Sequence, residues 1–239
     1  RLPLAGRQAK GKAIVNMLPI AQGVSIAAIM PVDAAEADWA DLQIIFATSQ
    51  GDVRRNALSD FTNVKRNGKI AMKLPEGIEL VNARICDMND DVMLVTKGGR
   101  AIRFSTTDVR IFNSRESTGV RGIRLSGDDR VVSMSVIRHF EATPEERTAY
   151  LKMRRAQEGV SDDTEADDED EIVADAGQLN LERFAEMSAA EDLILTITIA
   201  GSGKLSSSHD YPLRGRGGQG VKAITAGSRG GELIACFPV

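Results

Sequence analysis

The chain has 239 residues, of which 42% are apolar, 4% aromatic and 27% charged, and its formal net charge is −4. This composition describes a globular protein with enough apolar residues for one or two cores, and it excludes collagen, coiled-coil and wholly disordered chains. The apolar runs are far shorter than the roughly 20 residues that a membrane helix needs. The only cysteines, Cys86 and Cys236, are too few for a disulfide framework or a zinc site, which favours a cytoplasmic protein.

The charge is distributed unevenly along the chain. Residues 138–192 hold 6 basic and 17 acidic side chains, net −11, whereas the remaining residues hold 24 basic and 17 acidic side chains, net +7. A basic body therefore carries an acidic insert. We predict the end of one β-blade plus two full blades in residues 1–137, an acidic, partly helical or disordered insert in residues 138–192, and a further β-blade in residues 193–239.

The body contains a repeat of about 50 residues. A glycine followed by apolar positions begins four similar segments, at Gly11, Gly68, Gly119 and Gly220. An apolar run ending in threonine, with a glycine three residues later, recurs at Thr48, Thr96 and Thr198. In the clearest unit the pattern predicts strands at residues 43–47, 51–55, 70–74 and 80–85. Because about four short strands per repeat are typical of a propeller blade, we predict an all-β, propeller-like partial ring, with a β-sandwich as the alternative.

The insert has a different pattern. Thr143, Pro144 and Glu146 form a capping-box sequence that predicts a helix ending near Gln157, and a second helix is predicted at residues 179–189. Between them, residues 161–171 are a block of like charge that predicts disorder. This block is interpreted either as a solvated loop or as a competitor with nucleic acid for the basic surface.

Three segments that resemble catalytic motifs fail on their context. GRGGQG at residues 215–220 fits a dinucleotide-binding pattern, but a strand-like segment follows it where a helix is required. AGSGK at residues 200–204 lacks the first glycine and the final Ser/Thr of a phosphate loop, and SSSHD at residues 206–210 places triad-type residues next to each other. We therefore predict no catalytic residue, no metal site and no cofactor in this chain.

Basic residues recur at matching positions of the repeat, which would place them in a continuous band around the array. Such a band suits the phosphate backbone of duplex DNA, bound without sequence preference. The alternative is that these charges only keep the sheet edges soluble. The candidate DNA-binding residues are Arg54, Arg55, Lys65, Arg66, Lys69, Lys73, Arg100, Arg103, Arg115, Arg121, Arg124, Lys204, Arg214, Arg216 and Lys222.

The segments FTNVKRNGKIAMKL, VMLVTKGGRAIRF and TGVRGIRL resemble consecutive blades of the C-terminal domain of the bacterial DNA gyrase A subunit family. The resemblance implies a β-pinwheel, a six-bladed disc whose blades exchange strands, of which this chain would cover about blades two to five. It also implies that the disc wraps double-stranded DNA around a basic rim.

The resemblance further implies a role in ATP-dependent negative supercoiling. ATP and Mg would then act through other domains and the B subunit, in an assembly of two A and two B subunits, and the nucleophilic tyrosine would lie outside this chain. Two alternatives remain: the related A subunit of topoisomerase IV, and a propeller that serves as a protein-interaction scaffold.

Overall fold

The structure is a computed structural model that describes residues 4–21, 23–32, 39–62, 64–65, 67–114, 116–158, 177, 179–224 and 231–239. The described strands are β1 (Gln43–Thr48), β2 (Asp52–Ala57), β3 (Leu80–Cys86), β4 (Asp90–Thr96), β5 (Arg100–Ser105), β6 (Val120–Arg121), β7 (Val131–Arg138), β8 (Leu193–Thr198), β9 (Gly203–Ser207), β10 (Val221–Lys222) and β11 (Leu233–Pro238). The two described helices are α1 (Pro144–Glu158) and α2 (Leu181–Ala189). Neither helix is long and apolar enough to cross a membrane.

The strands form three antiparallel sheets, which we call the first, second and third blades. Their strand orders are β3-β1-β2-β6, β10-β5-β4-β7 and β11-β8-β9. In each blade a tight turn joins two consecutive strands, and equivalent pairs such as Gln43 with Ala57, Asp91 with Ser105 and Leu193 with Ser207 stand opposite each other. The structure therefore confirms the all-β, propeller-like repeat.

Strand exchange links the blades. β6 pairs with β2 of the first blade although β3, β4 and β5 intervene in sequence, and β10 pairs in the same way with β5 of the second blade. Gly119 and Gly220 precede these two strands at φ 108° and 70°. A Cβ atom on Gly119 would lie 2.1 Å from the Val53 carbonyl oxygen, and one on Gly220 would lie 2.2 Å from the Ala101 carbonyl oxygen. Only glycine allows this close approach.

The predicted strand at residues 70–74 is wrong, because the segment has no strand assignment. It is the repeat equivalent of β6 and β10, whose hydrogen-bond partners belong to another blade. No described sheet edge accepts the 70–74 segment, so Ile70 is 76% exposed while Met72 still packs beneath the first blade. A strand of this kind depends on a neighbouring blade more than on its own sequence.

The core lies between the blades. Ile45 and Val53 of the first blade pack with Leu94 and Phe104 of the second. The opposite face of the second blade contributes Met93 and other residues to a cluster with the third blade. The second blade is thus covered on both faces, which explains why residues 92–95 of its strand β4 are apolar at consecutive positions.

The two helices dock on the third blade. The predicted capping box is confirmed, since the Thr143 hydroxyl accepts from the Glu146 amide at 3.2 Å and the Glu146 carboxylate accepts from the Thr143 amide at 2.9 Å. His209, on the 3-10 turn Ser208–Asp210 of the third blade, lies with its ring edge-on to Tyr150 and Phe140 at centroid distances of 5.0 and 5.6 Å. The predicted acidic block at residues 161–171 falls outside the described residues.

Candidate nucleic-acid interface

Arg54 is one of three predicted DNA contacts that the structure places inside the blades. Its side chain is 0% exposed. The guanidinium donates from Nε to Asn56 Oδ1 at 2.8 Å and from Nη1 to the Ser117 carbonyl, and it lies 5.0 Å from the centre of the Phe112 ring. The prediction that Arg54 contacts DNA is therefore wrong, because this guanidinium holds Phe112 and Ser117 against the first blade.

Arg103 and Arg55 occupy equivalent places on β5 and β2, and both are buried at 4% and 6% exposure. Arg103 donates to Asp91 at 2.7 Å and to the carbonyl oxygens of Ser208 and Arg138 at 3.0 Å each. Arg55 faces the second blade, and burial lowers its pKa. The prediction of DNA contact is wrong for both residues, because each faces the neighbouring blade instead of solvent.

The remaining described candidates reach the surface. Arg100 is half-buried, and the exposed ones are Lys65, Lys69, Lys73, Arg121, Arg124, Lys204, Arg214, Arg216 and Lys222. The predicted contacts Arg66 and Arg115 lie outside the described residues. Lys69 turns back on its own segment, where its ammonium donates to the Asp60 carbonyl at 2.5 Å. DNA contact by the exposed residues stays a prediction.

Strand exchange brings six of these residues to one area, which we call the exchange cluster. Its members are Arg100, Arg121, Arg124, Arg214, Arg216 and Lys222. The loop that precedes β10 ties the area together: Arg216 donates to the Arg121 carbonyl at 3.1 Å, and Arg124 donates its amide to the Gly218 carbonyl at 2.7 Å. The loop therefore joins the exchanged strands of two adjacent blades.

Arg100 and Lys222 stand directly opposite each other where β10 pairs with β5. Arg100 also donates from Nη1 to the Gly220 carbonyl at 3.4 Å. Lys65, Lys69 and Lys73 belong to the unpaired segment of the first blade, and Lys204 belongs to β9, so strand exchange does not join these four to the cluster.

Acidic groups border the cluster on one side. Asp52 stands opposite Arg121 in the β2–β6 pair; burial raises its pKa, and the nearby Arg121 charge partly offsets that shift. Lys97, which the sequence reasoning missed, forms an ion pair with Glu232 at 2.7 Å beside Arg100 and Arg124. The repeat offers no signal for Lys97, because the first and third blades carry Ser49 and Ile199 at the matching position.

The SSSHD segment has a structural role. Ser207 caps the 3-10 turn by accepting from the His209 amide at 3.1 Å, and the Asp210 carboxylate accepts from the Ser207 amide at 3.0 Å. His209 Nε2 donates to the Met187 carbonyl oxygen of α2 at 2.9 Å. In the part of the chain that the structure describes, no group of three or more acidic, histidine or cysteine side chains could hold a metal ion.

The comparison with protein families agrees with this geometry. The family model for the DNA gyrase C-terminal domain, a beta-propeller, matches residues 43–87, 90–138 and 192–239, which is more than half of the chain. The chain belongs to the DNA gyrase C-terminal domain family. Each matched range contains three strands of one blade, the second and third ranges also contain the strand exchanged into the preceding blade, and all three leave out the helices α1 and α2.

Relatives of this gyrase domain are whole gyrase A subunits. The DNA gyrase A subunit from Granulibacter bethesdensis is 47% identical over 250 residues, covering 100% of this chain and 27% of that protein. The DNA gyrase A subunit from Rickettsia bellii is 38% identical over 239 residues, covering 100% of this chain and 26% of that protein. The chain thus spans about a quarter of the length of the gyrase proteins that it matches.

A solved structure supports the fold. The C-terminal domain of DNA topoisomerase IV superposes with a TM-score of 0.66 at 17% identity, covering 96% of this chain and 55% of the other. At this identity the likeness concerns the fold alone, whereas the sequence relatives above are gyrase proteins.

Proposed function

We propose that the chain is the DNA-binding and DNA-wrapping portion of a gyrase A subunit. The observation that carries the proposal is the exchange cluster, where six basic side chains lie on or next to the exchanged strands β6 and β10 and on the loop that precedes β10. The net charge of +7 outside residues 138–192 supports a polyanionic ligand. Because the charges follow the repeat of the backbone, they suit a ligand whose charge also repeats, such as a duplex.

The physical requirement for wrapping is that phosphate contacts outweigh the stiffness of DNA. Smoothly bending a duplex of 20–30 base pairs by 40–90° costs of order 1–6 kcal/mol. Each phosphate that a basic side chain neutralises releases counterions, so several contacts along a curved surface offset this cost. These contacts carry no sequence information, and binding would be independent of sequence.

Chemistry would lie elsewhere in the assembly. Both tyrosines of the chain, Tyr150 and Tyr211, are buried, and burial raises the pKa of Tyr211 to about 12, which disfavours a phenolate nucleophile. We propose that strand cleavage, ATP hydrolysis and Mg binding belong to other domains and to the B subunit. The assembly would contain two A and two B subunits in the cytoplasm and introduce negative supercoils, while this chain supplies no cofactor site of its own.

Neutralising the cluster tests this function. Joint replacement of Arg121, Arg124, Arg214 and Lys222 by glutamine in the full-length protein should lower supercoiling more than relaxation or DNA cleavage, because only supercoiling needs the wrapped duplex. The slope of log K against log salt for duplex binding should become shallower by about four. The matched control replaces Lys152 and Arg155, exposed basic residues of α1, by glutamine and should change neither measurement.

The result also separates the alternatives. If the chain were a protein-interaction scaffold, duplex binding by the wild-type protein would depend little on salt, and the fourfold variant would show no selective loss of supercoiling. Equal loss of supercoiling, relaxation and cleavage would contradict a wrapping role, because it would indicate damage to the whole assembly.

A further inference from the structure

The segment that follows the 3-10 turn Thr106–Asp108 presents an arginine to solvent at the junction of the first and second blades. Arg110 is exposed, and its guanidinium carbon lies 4.3 Å from the centre of the Phe112 ring. This is a cation–π contact, in which the positive group is attracted to the negative face of the ring. None of the acidic side chains that the structure describes forms an ion pair with Arg110. Its charge is therefore open to a ligand that approaches from solvent.

The ring that carries Arg110 is fixed to the first blade. Phe112 is buried, its amide donates to the Arg55 carbonyl at 2.8 Å, and its carbonyl oxygen accepts from Asn56 Nδ2 at 2.6 Å. Both partners belong to β2. A guanidinium on a fixed platform loses less conformational freedom on binding a ligand than one on an unsupported side chain does. Arg110 is thus pre-organised.

The stack leaves the hydrogen-bond donors of Arg110 available. A guanidinium stacks through its flat face, whereas its N–H groups point outward in the plane of the group. It can therefore contact an aromatic ring and donate to phosphate oxygens at the same time, in the forked geometry that arginine uses for phosphate. The ammonium of a lysine has no flat face and cannot combine the two contacts in this way.

A second arginine ties this stretch to the exchange cluster. Arg216 donates from Nε to the Asp108 carbonyl at 2.9 Å and from Nη1 to the Arg121 carbonyl at 3.1 Å. Asp108 lies two residues before Arg110, and Arg121 belongs to β6. The guanidinium of Arg216 therefore holds the end of the 3-10 turn beside the exchanged strand. The stretch that carries Arg110 thus borders the exchange cluster.

The next junction exposes an arginine in the same stretch, but at another position of the repeat. Equivalent β-bridges at Ile111 and Leu213 align the two junctions. In this alignment Phe112 matches Arg214, which is exposed, whereas Arg110 matches a buried proline. Each of the two described junctions therefore exposes one arginine within residues 110–112 and 212–214. Because its position shifts by two residues, a search for recurring basic residues does not find Arg110.

We propose that Arg110, stacked on Phe112, is a further contact to a backbone phosphate of duplex DNA. This inference rests on the proposed function and deepens it, because it adds a contact that the sequence repeat does not predict. Arg110 serves the first junction as Arg214 serves the second. Arg216 is a positioning residue for this contact, since it acts through the Asp108 carbonyl.

Charge and stacking can be tested separately in the full-length protein. Arg110→Gln removes the charge, so it should weaken binding of a mixed-sequence duplex about fivefold and make the slope of log K against log salt shallower by about one. Arg110→Lys keeps the charge without the flat group, so it should weaken binding about twofold and leave the slope unchanged.

The matched control is Arg155→Gln, which removes one exposed positive charge from α1. If Arg110→Gln changes affinity and slope no more than Arg155→Gln, while the wild-type protein binds duplex with a steep salt dependence, the phosphate contact is wrong and the proposed function stands. Wild-type affinity in Arg110→Lys would contradict the role of the Phe112 stack. If the wild-type protein itself shows no salt-dependent duplex binding, the proposed function fails and the contact fails with it.

Discussion

The two blade junctions each bury an arginine, but they differ in the partners that this arginine has. At the junction of the second and third blades, Arg103 donates to Asp91 and to two carbonyl oxygens, and the other oxygen of Asp91 lies 2.7 Å from His139 Nδ1. At the junction of the first and second blades the equivalent arginine is Arg55, and the position of Asp91 is taken by Gln43. The first junction therefore has the cation without the carboxylate.

The consequence is visible in the hydrogen bonds. Nε and Nη1 of Arg55 and Oε1 of Gln43 are buried and accept or donate no hydrogen bond among the described residues. The nearby Cys86 offers no anion, because burial raises the pKa of its thiol to about 12. In the third blade the same two positions are Leu193 and Leu205. The repeat thus preserves the backbone and the exchange of strands, whereas the polar partners of a buried position vary from blade to blade.

The largest expected effect comes from breaking the complete junction. Asp91→Ala should lower the free energy of unfolding by about 3–5 kcal/mol, because it leaves Arg103 as a buried charge without its carboxylate. Denaturant unfolding of the purified chain measures the change. The double variant Asp91→Leu with Arg103→Leu, which reproduces the leucine pair of the third blade, should regain most of the loss. A double variant as unstable as the single one would show that the ion pair is not the source of the effect.

Adding the missing carboxylate at the junction of the first and second blades should raise the free energy of unfolding, by less than Asp91→Ala lowers it. Gln43→Asp supplies Arg55 with the carboxylate that Arg103 has, and it gives up the bond from Gln43 Nε2 to the Asp41 carbonyl. We expect the free energy of unfolding to rise by about 1–2 kcal/mol, because a hydrogen bond to a charged group contributes about 1.5–3 kcal/mol and the lost bond to Asp41 offsets part of that gain. In an Arg55→Met background the same substitution should destabilise the chain, since the new carboxylate would be buried alone. Stabilisation in both backgrounds would contradict the pairing.

This comparison also shows what the sequence could predict. The repeat, most strands and the capping box of α1 follow from local patterns, and the structure confirms them. The fate of Arg54, Arg55 and Arg103 does not follow from such patterns, because both faces of a blade pack against neighbours and a charged residue in a strand need not face water. The predicted strand at residues 70–74 is wrong for the same reason. Such a strand requires an edge that another blade provides.

The exchange cluster was partly predictable. The recurrence of basic residues after glycine correctly indicated exposed positions such as Arg121, Arg124 and Lys222. The opposition of Arg100 to Lys222 depends on strand exchange between segments far apart in the chain, and no local pattern reports such a register. Equally, the sequence could not show that Asp52 faces Arg121, because these residues meet only in the assembled sheet.

The smallest expected effect concerns pH and sharpens the difference between the junctions. The 3-10 turn that receives Arg103 carries His209, whereas the matching turn of the first junction has the exposed Thr107. Burial lowers the pKa of His209 from its ordinary value of 6.5, and the nearby Arg103 adds to the shift while Glu191 opposes it. The unfolded chain therefore binds a proton at His209 near pH 6.5, whereas the folded chain does not. The free energy of unfolding falls as the pH drops from 6.5 towards the lowered pKa of His209 in the folded chain. Within that window the free energy of unfolding should fall by up to about 1.4 kcal/mol per pH unit.

Hydrogen exchange should locate the loosening in α1 and α2, while β1 and β2 stay protected. His209→Gln, which retains an amide donor for the Met187 carbonyl, should remove this slope, and a slope that persists in the variant would assign it to another group.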